Sequence, residues 1–466
     1  MDMPDFEIYQ SPFSWRYGSR SMRRLWSETN KRLIWRKIWV VLAEVQAGFG
    51  LVTQEQVADL TSRMNDIDLP RSIEIETEIQ HDLMAELKTF AEQCPLGGGI
   101  LHLGATSTDI EDNTDVIRQQ AGLDLILGEL KSLLLRLCQL IEAWAETPTM
   151  AYTHLQPAEP STLGYRFAFY AQDLLADYST IKEIRKDLKG KGFKGAVGTR
   201  ASFADLVGLE RLDQFESQIS TKLGLKFFPI TSQTYPRRQD LLVVSSLAGL
   251  GASLYKMAFD LRILQTPAIG ELRESFSEKQ VGSSAMPFKR NPIRSEKINS
   301  IGRYLAQFPR MAWDNAAHSL LERTLDDSAN RRIMLPETFL ALEELLKTSL
   351  KIFEQLVIDE NAIQKDLICY GPFAATEKLM LAVVKAGADR QKMHELIRVH
   401  CLKSWETLQV GDSNPLVDLL SQDQEINQYF SRDEVLKLMD AHNHIGDAPL
   451  RARKMAATIH DFLENN

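Results

Sequence analysis

Leu123, Leu130, Leu137 and Trp144 recur every seven residues, with Ile126/Leu127, Leu133/Leu134 and Leu140/Ile141 between them. Apolar residues at i, i+3, i+4 and i+7 lie on one side of an α-helix, so this stripe predicts a long helix with one side buried. A second stripe, Val243, Leu247, Leu250, Leu254, Met257, Leu261 and Leu264, alternates by four and three. Gly249, Gly251, Ala252 and Ser253 flank it, and small residues let neighbouring helices approach closely. Phe339, Leu342, Leu346, Phe353 and Leu356 form a third. Long helices of this kind pack at about 20° to one another, in bundles.

The expected fold is all-α. Signals for strands are few: residues 223–230 and the glycine-rich 189–199 are candidates for short strands or a hairpin. Gly97, Gly98 and Gly99 interrupt the pattern before the first stripe, and Thr108-x-x-Glu111 reads as a capping box. After Ile358 the helices shorten, punctuated by Pro372, Pro415 and Pro449. Three helical domains follow: 1–106, a long central bundle over 107–358, and 359–466.

With 44% hydrophobic and 25% charged residues, 466 residues can bury an ample core without metal or disulfide. The net charge of -9 argues against a nucleic-acid partner. The basic run Arg16, Arg20, Arg23, Arg24, Lys31, Arg32, Arg36 and Lys37, interleaved with tryptophans, reads as a solvated or inter-subunit helix face. Cys94, Cys138, Cys369 and Cys401 form no C-x-x-C pair and read as reduced, buried thiols. The N-terminus has no apolar leader core, and the longest uncharged stretch, 241–255, is shorter than the ~20 residues that span a bilayer. These features point to a cytoplasmic protein with no membrane partner.

Five polar segments fall between the stripes. Gln80-His81-Asp82, taken alone, reads first as a surface helix face, since a single histidine is a weak signal. Gly104-Ala105-Thr106-Ser107-Thr108-Asp109 offers hydroxyls at a helix N-terminus, where free N–H groups suit a carboxylate or phosphate. A P-loop is excluded because Ala105 stands where its lysine must be. Thr153-His154-Leu155-Gln156-Pro157 fixes a histidine at a turn, as a general acid or base or as a structural residue. The loop from Gly282 to Pro292 concentrates Ser283, Ser284, Lys289 and Arg290, and its apolar Met286 and Phe288 favour burial. Arg323 to Arg332 brings arginines beside Ser328, a grouping able to fork onto phosphate or simply to start a helix. No metal set is visible; His442-x-His444 reads as exposed and isolated.

Taken together these segments resemble one family. Gly282-Ser-Ser-x-Met-Pro-x-Lys289-x-Asn291-Pro292 is similar to the signature loop of the fumarase/aspartase superfamily. Gly104 to Ser107 and Thr153 to Pro157 resemble it at the expected order and spacing. Arg323 to Arg332, with Thr231 to Tyr235 and Ser11 to Tyr17, narrows the resemblance to animal-type adenylosuccinate lyases. It covers nearly the whole chain and weakens beyond about Gly411.

The resemblance implies a carbon–nitrogen lyase of purine nucleotide biosynthesis. Such an enzyme cleaves adenylosuccinate to AMP and fumarate, and the succinyl-carboxamide ribotide SAICAR to AICAR and fumarate, with no metal or organic cofactor. It implies a homotetramer with active sites shared between subunits. Ser283 would be the base and His154 the acid, with Glu296 orienting and charging the histidine. Lys289, Asn291 and backbone N–H groups would hold the carboxylates, aided by Thr106, Ser107 and Gln233. Arg16, Tyr17, Arg323, Ser328, Arg332 and Lys297 would hold the nucleotide. His81 and Asp82 stay open between phosphate contact and proton relay. Gln80 and Lys297 stand where the animal type has arginine. Serine is a poor base, so the loop over 275–292 is expected to close and exclude water. The rivals are the same fold acting on another succinyl substrate, and a helical scaffold without catalysis.

Overall fold

The computed structural model describes residues 7–465. Residues 1–6, part of the N-terminal stretch inspected for a leader, lie outside the described residues.

The elements that position the site are α1 (Glu28–Gly48), α2 (Asp82–Gln93), α3 (Ser107–Ala143), the strands β1 (Pro148–Thr153) and β2 (Gln156–Thr162), α4 (Leu163–Asp187), α5 (Arg238–Leu264), α6 (Ile293–Leu305), α7 (Ser328–Glu354) and α8 (Glu360–Lys385). The all-α expectation holds. Among the described residues the strands form two two-stranded sheets: the β1–β2 hairpin, and a pairing of Leu272–Arg273 with Val357–Ile358. The strands expected over 189–199 and 223–230 reduce to one parallel bridge, Gly190 to Phe227.

All three stripes are core. Leu123, Leu130 and Leu137 are buried on α3, Trp144 lies just past its end and is half-buried, and the entire second stripe is buried along α5. The third is buried along α7 from Phe339 to Phe353; Leu356 lies past the helix end and is half-buried. Cutting any of the buried leucines to alanine would cost about 2–5 kcal/mol. Of the flanking glycines Gly251 has the expected use: a Cβ there would sit 2.7 Å from a methyl of Leu305, whereas one on Gly249 would meet nothing within 4 Å. The uncharged stretch read as short is part of a 27-residue helix, long and apolar enough to cross a membrane, as is α8. In α5 the stripe is buried within protein instead. Pro372 lies inside α8 rather than at a helix end.

The chain divides into two compact units. The first takes residues through Glu129, Asp177–Ala252 and Ser300–Leu346; the second takes Leu130–Ala176, Ser253–Asn299 and residues from Lys347 onward. In the first, Trp35, Trp39, Phe90, Phe203 and Phe215 anchor a core. In the second, Leu379, Val383, Leu416, Leu420 and Val435 anchor another.

The solvated reading of the basic run fails for three of its members. Lys31, Arg32 and Arg36 are buried. Arg36 donates to Glu86 at 2.6 Å with both side chains fully enclosed, and Arg32 donates to Glu28 at 2.5 Å. Arg16, Arg20, Arg24 and Lys37 remain exposed. Cys94 and Cys138 are buried, but Cys369 and Cys401 are only half-buried; all four are free thiols.

Candidate active site

In the first unit, one side of α3 presents Thr108, Glu111, Asp112, Asp115 and Arg118 into a cleft. Spacings of three and four put these residues on one helix face. Opposite them, α7 contributes Ser328, Arg331 and Arg332, α1 contributes Glu28 and Lys31, and α2 contributes Asp82; Arg237 and Arg323 complete the polar wall.

The cations of this cleft are held by carboxylates. Arg237 forks onto Asp112 at 3.0 and 3.1 Å and reaches Asp327 at 2.6 Å. Arg331 donates to Asp240 at 2.8 Å and to the Tyr235 hydroxyl at 2.8 Å. Arg323 pairs with Asp327 at 2.8 Å, and Arg332 with Asp82 at 2.8 Å. Burial alone would raise the Asp82 carboxyl, but Arg332 and Lys31 outweigh it and hold the group below its ordinary value. Asp327 is lowered in the same way, its burial outweighed chiefly by Arg237 and Arg331. Arg323 and Arg332 therefore stand oriented before any ligand arrives.

Gln80, His81 and Asp82 form a corner between helices, not the helix face read from sequence. Gln80 takes a left-handed conformation (φ 54°) that ends the helix Leu69–Ile79. His81 then caps α2, its Nδ1 accepting from the Met84 N–H at 3.4 Å. The other ring nitrogen lies 3.3 Å from the Ser107 hydroxyl. The capping box expected at Thr108 and Glu111 does not form; half of one stands two residues earlier. Asp109, not Glu111, closes the helix start, accepting from the Thr106 N–H at 2.9 Å. Thr108 is buried in the first turn, donating to the Gln233 carbonyl at 2.5 Å. Gln233 thus sits beside the opening of α3. Arg16 and Tyr17 lie on the N-terminal segment, the guanidinium 5.6 Å from the Trp15 ring and 6.0 Å from the Tyr17 ring. They do not line the cleft.

In the second unit, His154 and Leu155 form the two-residue turn of the β1–β2 hairpin, where Thr153 pairs with Gln156. Both are left-handed, with φ of 54° and 59°. This geometry matches the twist of a hairpin but costs a non-glycine residue roughly 1–2 kcal/mol. Buried bonds brace the strands. The Glu271 carboxylate accepts from Thr149 at 2.6 Å and pairs with Arg166 at 2.6 Å, and Arg166 also donates to the Met150 carbonyl. Tyr152 donates to Asp366 at 2.9 Å. The histidine is exposed at the tip and, among the described residues, makes no side-chain hydrogen bond.

The segment from Gly282 to Pro292 is a loop, as expected, leading into α6. Its ends pinch together at Gly282, where a Cβ would come within 2.1 Å of the Lys289 carbonyl. Asn291 donates to the Gly282 carbonyl at 3.3 Å. The Ser283 oxygen accepts from the Met286 N–H at 3.1 Å. Met286 and Phe288 are not buried: Phe288 is 83% exposed. Lys289 is exposed, Lys297 is half-buried on α6, and Glu296 lies 4.0 Å from Arg262. Below the loop, Glu274 accepts from the Ser295 N–H and hydroxyl at 2.7 Å, fixing the start of α6.

The two groups of expected residues thus separate by unit. Arg16, Tyr17, His81, Asp82, Thr106, Ser107, Gln233, Arg323, Ser328 and Arg332 belong to the first; His154, Ser283, Lys289, Asn291, Glu296 and Lys297 belong to the second. Sequence reasoning missed the bracing groups Glu271, Arg166 and Asp366, and the Asp112–Arg237 and Asp240–Arg331 pairs. It also read His444 as isolated. Its ring lies with the carboxylates of Glu159 and Glu377, all three ligand atoms within 4.8 Å of one another. Glu159 hydrogen-bonds Glu377, which raises the Glu159 carboxyl. These three are the described side chains best grouped to hold a cation.

A lyase family model matches residues 18–305. The fold is shared with solved structures: fumarate lyase from Mesorhizobium sp. BNC1 (TM-score 0.84, 23% identity, covering 97% of this chain and 99% of that one) and 3-carboxy-cis,cis-muconate lactonizing enzyme from Pseudomonas putida (TM-score 0.86, 21% identity, covering 98% and 100%). Fold and family model together define a helical lyase of the fumarase/aspartase superfamily. A model of the adenylosuccinate lyase C-terminus matches residues 372–454, extending the likeness past Gly411, where the motifs lose it. Adenylosuccinate lyase of Saccharomyces cerevisiae is 35% identical over 460 residues (97% of this chain, 95% of that one), and that of Schistosoma mansoni is 37% identical over 428 residues (90% and 89%). The chain belongs to the adenylosuccinate lyase family.

Proposed function

We propose that this chain eliminates fumarate from adenylosuccinate to leave AMP, and from SAICAR to leave AICAR. The observation that carries the reading is the arginine–serine cleft of the first unit in a chain similar to adenylosuccinate lyases along almost its whole length. Arg323, Ser328 and Arg332 suit a phosphate, which argininosuccinate, malate and aspartate lack.

The reaction removes a proton from the carbon beside a carboxylate and breaks the bond from the neighbouring carbon to nitrogen. Negative charge builds on that carboxylate, so fixed donors matter most there. Ser283 takes the proton. The N–H of Met286 already donates to its oxygen, which favours the ionised form. Lys289 and Asn291 steady the carboxylates, with Thr106, Ser107 and Gln233 beside them. His154 gives its proton to the departing nitrogen, and Glu296 orients that ring. Arg16, Tyr17 and Lys297 complete the nucleotide grip, and His81 with Asp82 lies between phosphate contact and proton relay. The exposed His154 tip and Phe288 loop suit a homotetramer whose sites take segments from several copies, working in the cytoplasm.

The test is fumarate release, followed with adenylosuccinate, SAICAR and argininosuccinate in parallel. Release from the two nucleotides alone supports the reading. Release from argininosuccinate alone moves the chain to a sibling activity, and no release favours the scaffold.

A further inference from the structure

Four of the five acidic groups lining the cleft have a cation beside them. Glu28 pairs with Lys31 at 2.8 Å and Arg32 at 2.5 Å, Asp82 with Arg332 at 2.8 Å, Asp112 with Arg237 at 3.0 Å, and Asp115 with Arg331 at 3.1 Å. The fifth is Glu111. It points into the same cleft from the middle of the α3 face. Among the described residues it has neither a hydrogen bond nor a cation within 4 Å. A carboxylate left unpaired there would face the phosphate that Arg323, Ser328 and Arg332 suit, and two like charges at close quarters away from bulk water repel.

We propose that Glu111 is a specificity-determining residue that binds the nucleotide as a neutral carboxyl, donating its O–H to a phosphate oxygen. The assignment rests on the nucleotide reading of this cleft. A protonated carboxyl contributes one donor with no charge, and an O–H···O⁻ bond is among the stronger hydrogen bonds.

The surroundings favour the neutral form before ligand arrives. Burial comes first, followed by the negative charges of Asp82 on α2 and of Asp112 and Asp115 on α3; Arg332 on α7 opposes them. The result is a carboxyl raised to about 7. The remaining charges of the cleft are Glu28 and Lys31 on α1, Arg118 on α3, Arg331 on α7, and Arg237 and Arg323, and all but Arg118 carry strong partners named above. Arg118 is turned to the Trp26 carbonyl at 2.7 Å and lies 3.7 Å from Asp115. A bound phosphate would raise Glu111 further, because it adds negative charge.

The sign follows. Below pH 7 the donor is present; above it the group becomes an anion facing an anion. From pH 6 to pH 8 the protonated fraction of a group titrating near 7 falls about ten-fold. The KM for adenylosuccinate and the dissociation constant of AMP, measured by calorimetry on the intact protein, are expected to rise about ten-fold over that range. Glu111→Gln keeps a donor and cannot ionise, so its KM and AMP affinity should lack that rise and follow only the second ionisation of the phosphate, near pH ~6. Glu111→Ala lacks the donor and should bind AMP several-fold more weakly than wild type at pH 6. The effect should fall on KM rather than kcat. A Glu111→Gln profile that climbs like wild type would assign the titration to another group and overturn the proposal. So would wild-type AMP affinity at pH 6 in Glu111→Ala. If wild type binds AMP but releases no fumarate, the elimination reading fails while the calorimetry still judges Glu111. If AMP does not bind at all, both fall.

Discussion

Asp82 and Arg332 form an ion pair at 2.8 Å across the mouth of the cleft, with the carboxylate buried and the guanidinium about half exposed. The aspartate opens α2 and the arginine lies in the first turns of α7, so the pair fixes where the guanidinium points. Replacing Asp82 by Asn should raise the KM for adenylosuccinate while leaving kcat closer to normal. With the guanidinium half exposed, solvent screening holds the pair's contribution to about 1 kcal/mol. Because the Asp82 carboxyl is held below its ordinary value of 3.8, that stability is present above pH ~4 and is lost as pH falls through the folded-state value. Melting temperatures of wild type and Asp82→Asn should therefore differ at pH 7 and converge in acid. A gap that does not narrow at all as the pH is lowered below the ordinary carboxyl value would remove the charge from the explanation.

Ser283→Ala should reduce turnover by about a thousand-fold or more, the scale set by losing a nucleophile or base from a preorganised site. Substrate affinity, read by calorimetry, should survive. Near-normal turnover would show that the proton leaves to another group.

His154 occupies a left-handed position that asparagine also tolerates. His154→Asn should keep the hairpin, with a melting temperature close to wild type, while turnover falls about 10²–10⁴-fold for want of a general acid. Valine at the same position should also lower the melting temperature, because a β-branched residue resists φ near 54°. Normal fumarate release from His154→Asn would discard the acid role.

Gly282→Ala forces the two ends of the signature loop apart, since the new methyl would collide with the Lys289 carbonyl. The fold elsewhere is untouched, so the melting temperature should change little while kcat drops by at least ten-fold, the cost of misplacing catalytic groups by about 1 Å. An unchanged kcat would mean that the loop ends need not meet.

Glu271→Gln strips the charge partner from Arg166 beneath the hairpin. Breaking a buried pair by removing one member costs about 3–5 kcal/mol. Denaturant unfolding should show that loss, and a change below ~1 kcal/mol would indicate that water reaches Arg166.

The stripes on α3, α5 and α7 were legible because burial along a helix repeats within the sequence itself. The signature loop and the turn at His154 were legible because glycine and proline mark chain reversals. The double left-handed turn at His154 and Leu155 was not, since neither residue type announces that conformation. Nor were the pairs that hold the cleft. Arg237 and Asp112 stand 125 positions apart, and nothing local links them. The helix start was misplaced because Thr108-x-x-Glu111 fits the capping pattern, while the Thr108 hydroxyl is spent on the Gln233 carbonyl and Asp109 takes the Thr106 N–H instead. The buried arginines of α1 read as surface because charge alone does not reveal a carboxylate such as Glu86 on another helix.

The two units alternate along the polypeptide, and α3, α4, α5, α6 and α7 each begin in one and end in the other. No single cut can therefore free the segments bearing Arg323 and Arg332 from those bearing His154 and Ser283. Shuffling whole modules, the usual route to a new substrate, is closed to such a chain. Its preferences can drift only one side chain at a time, and positions such as Glu111 are where that drift would be read.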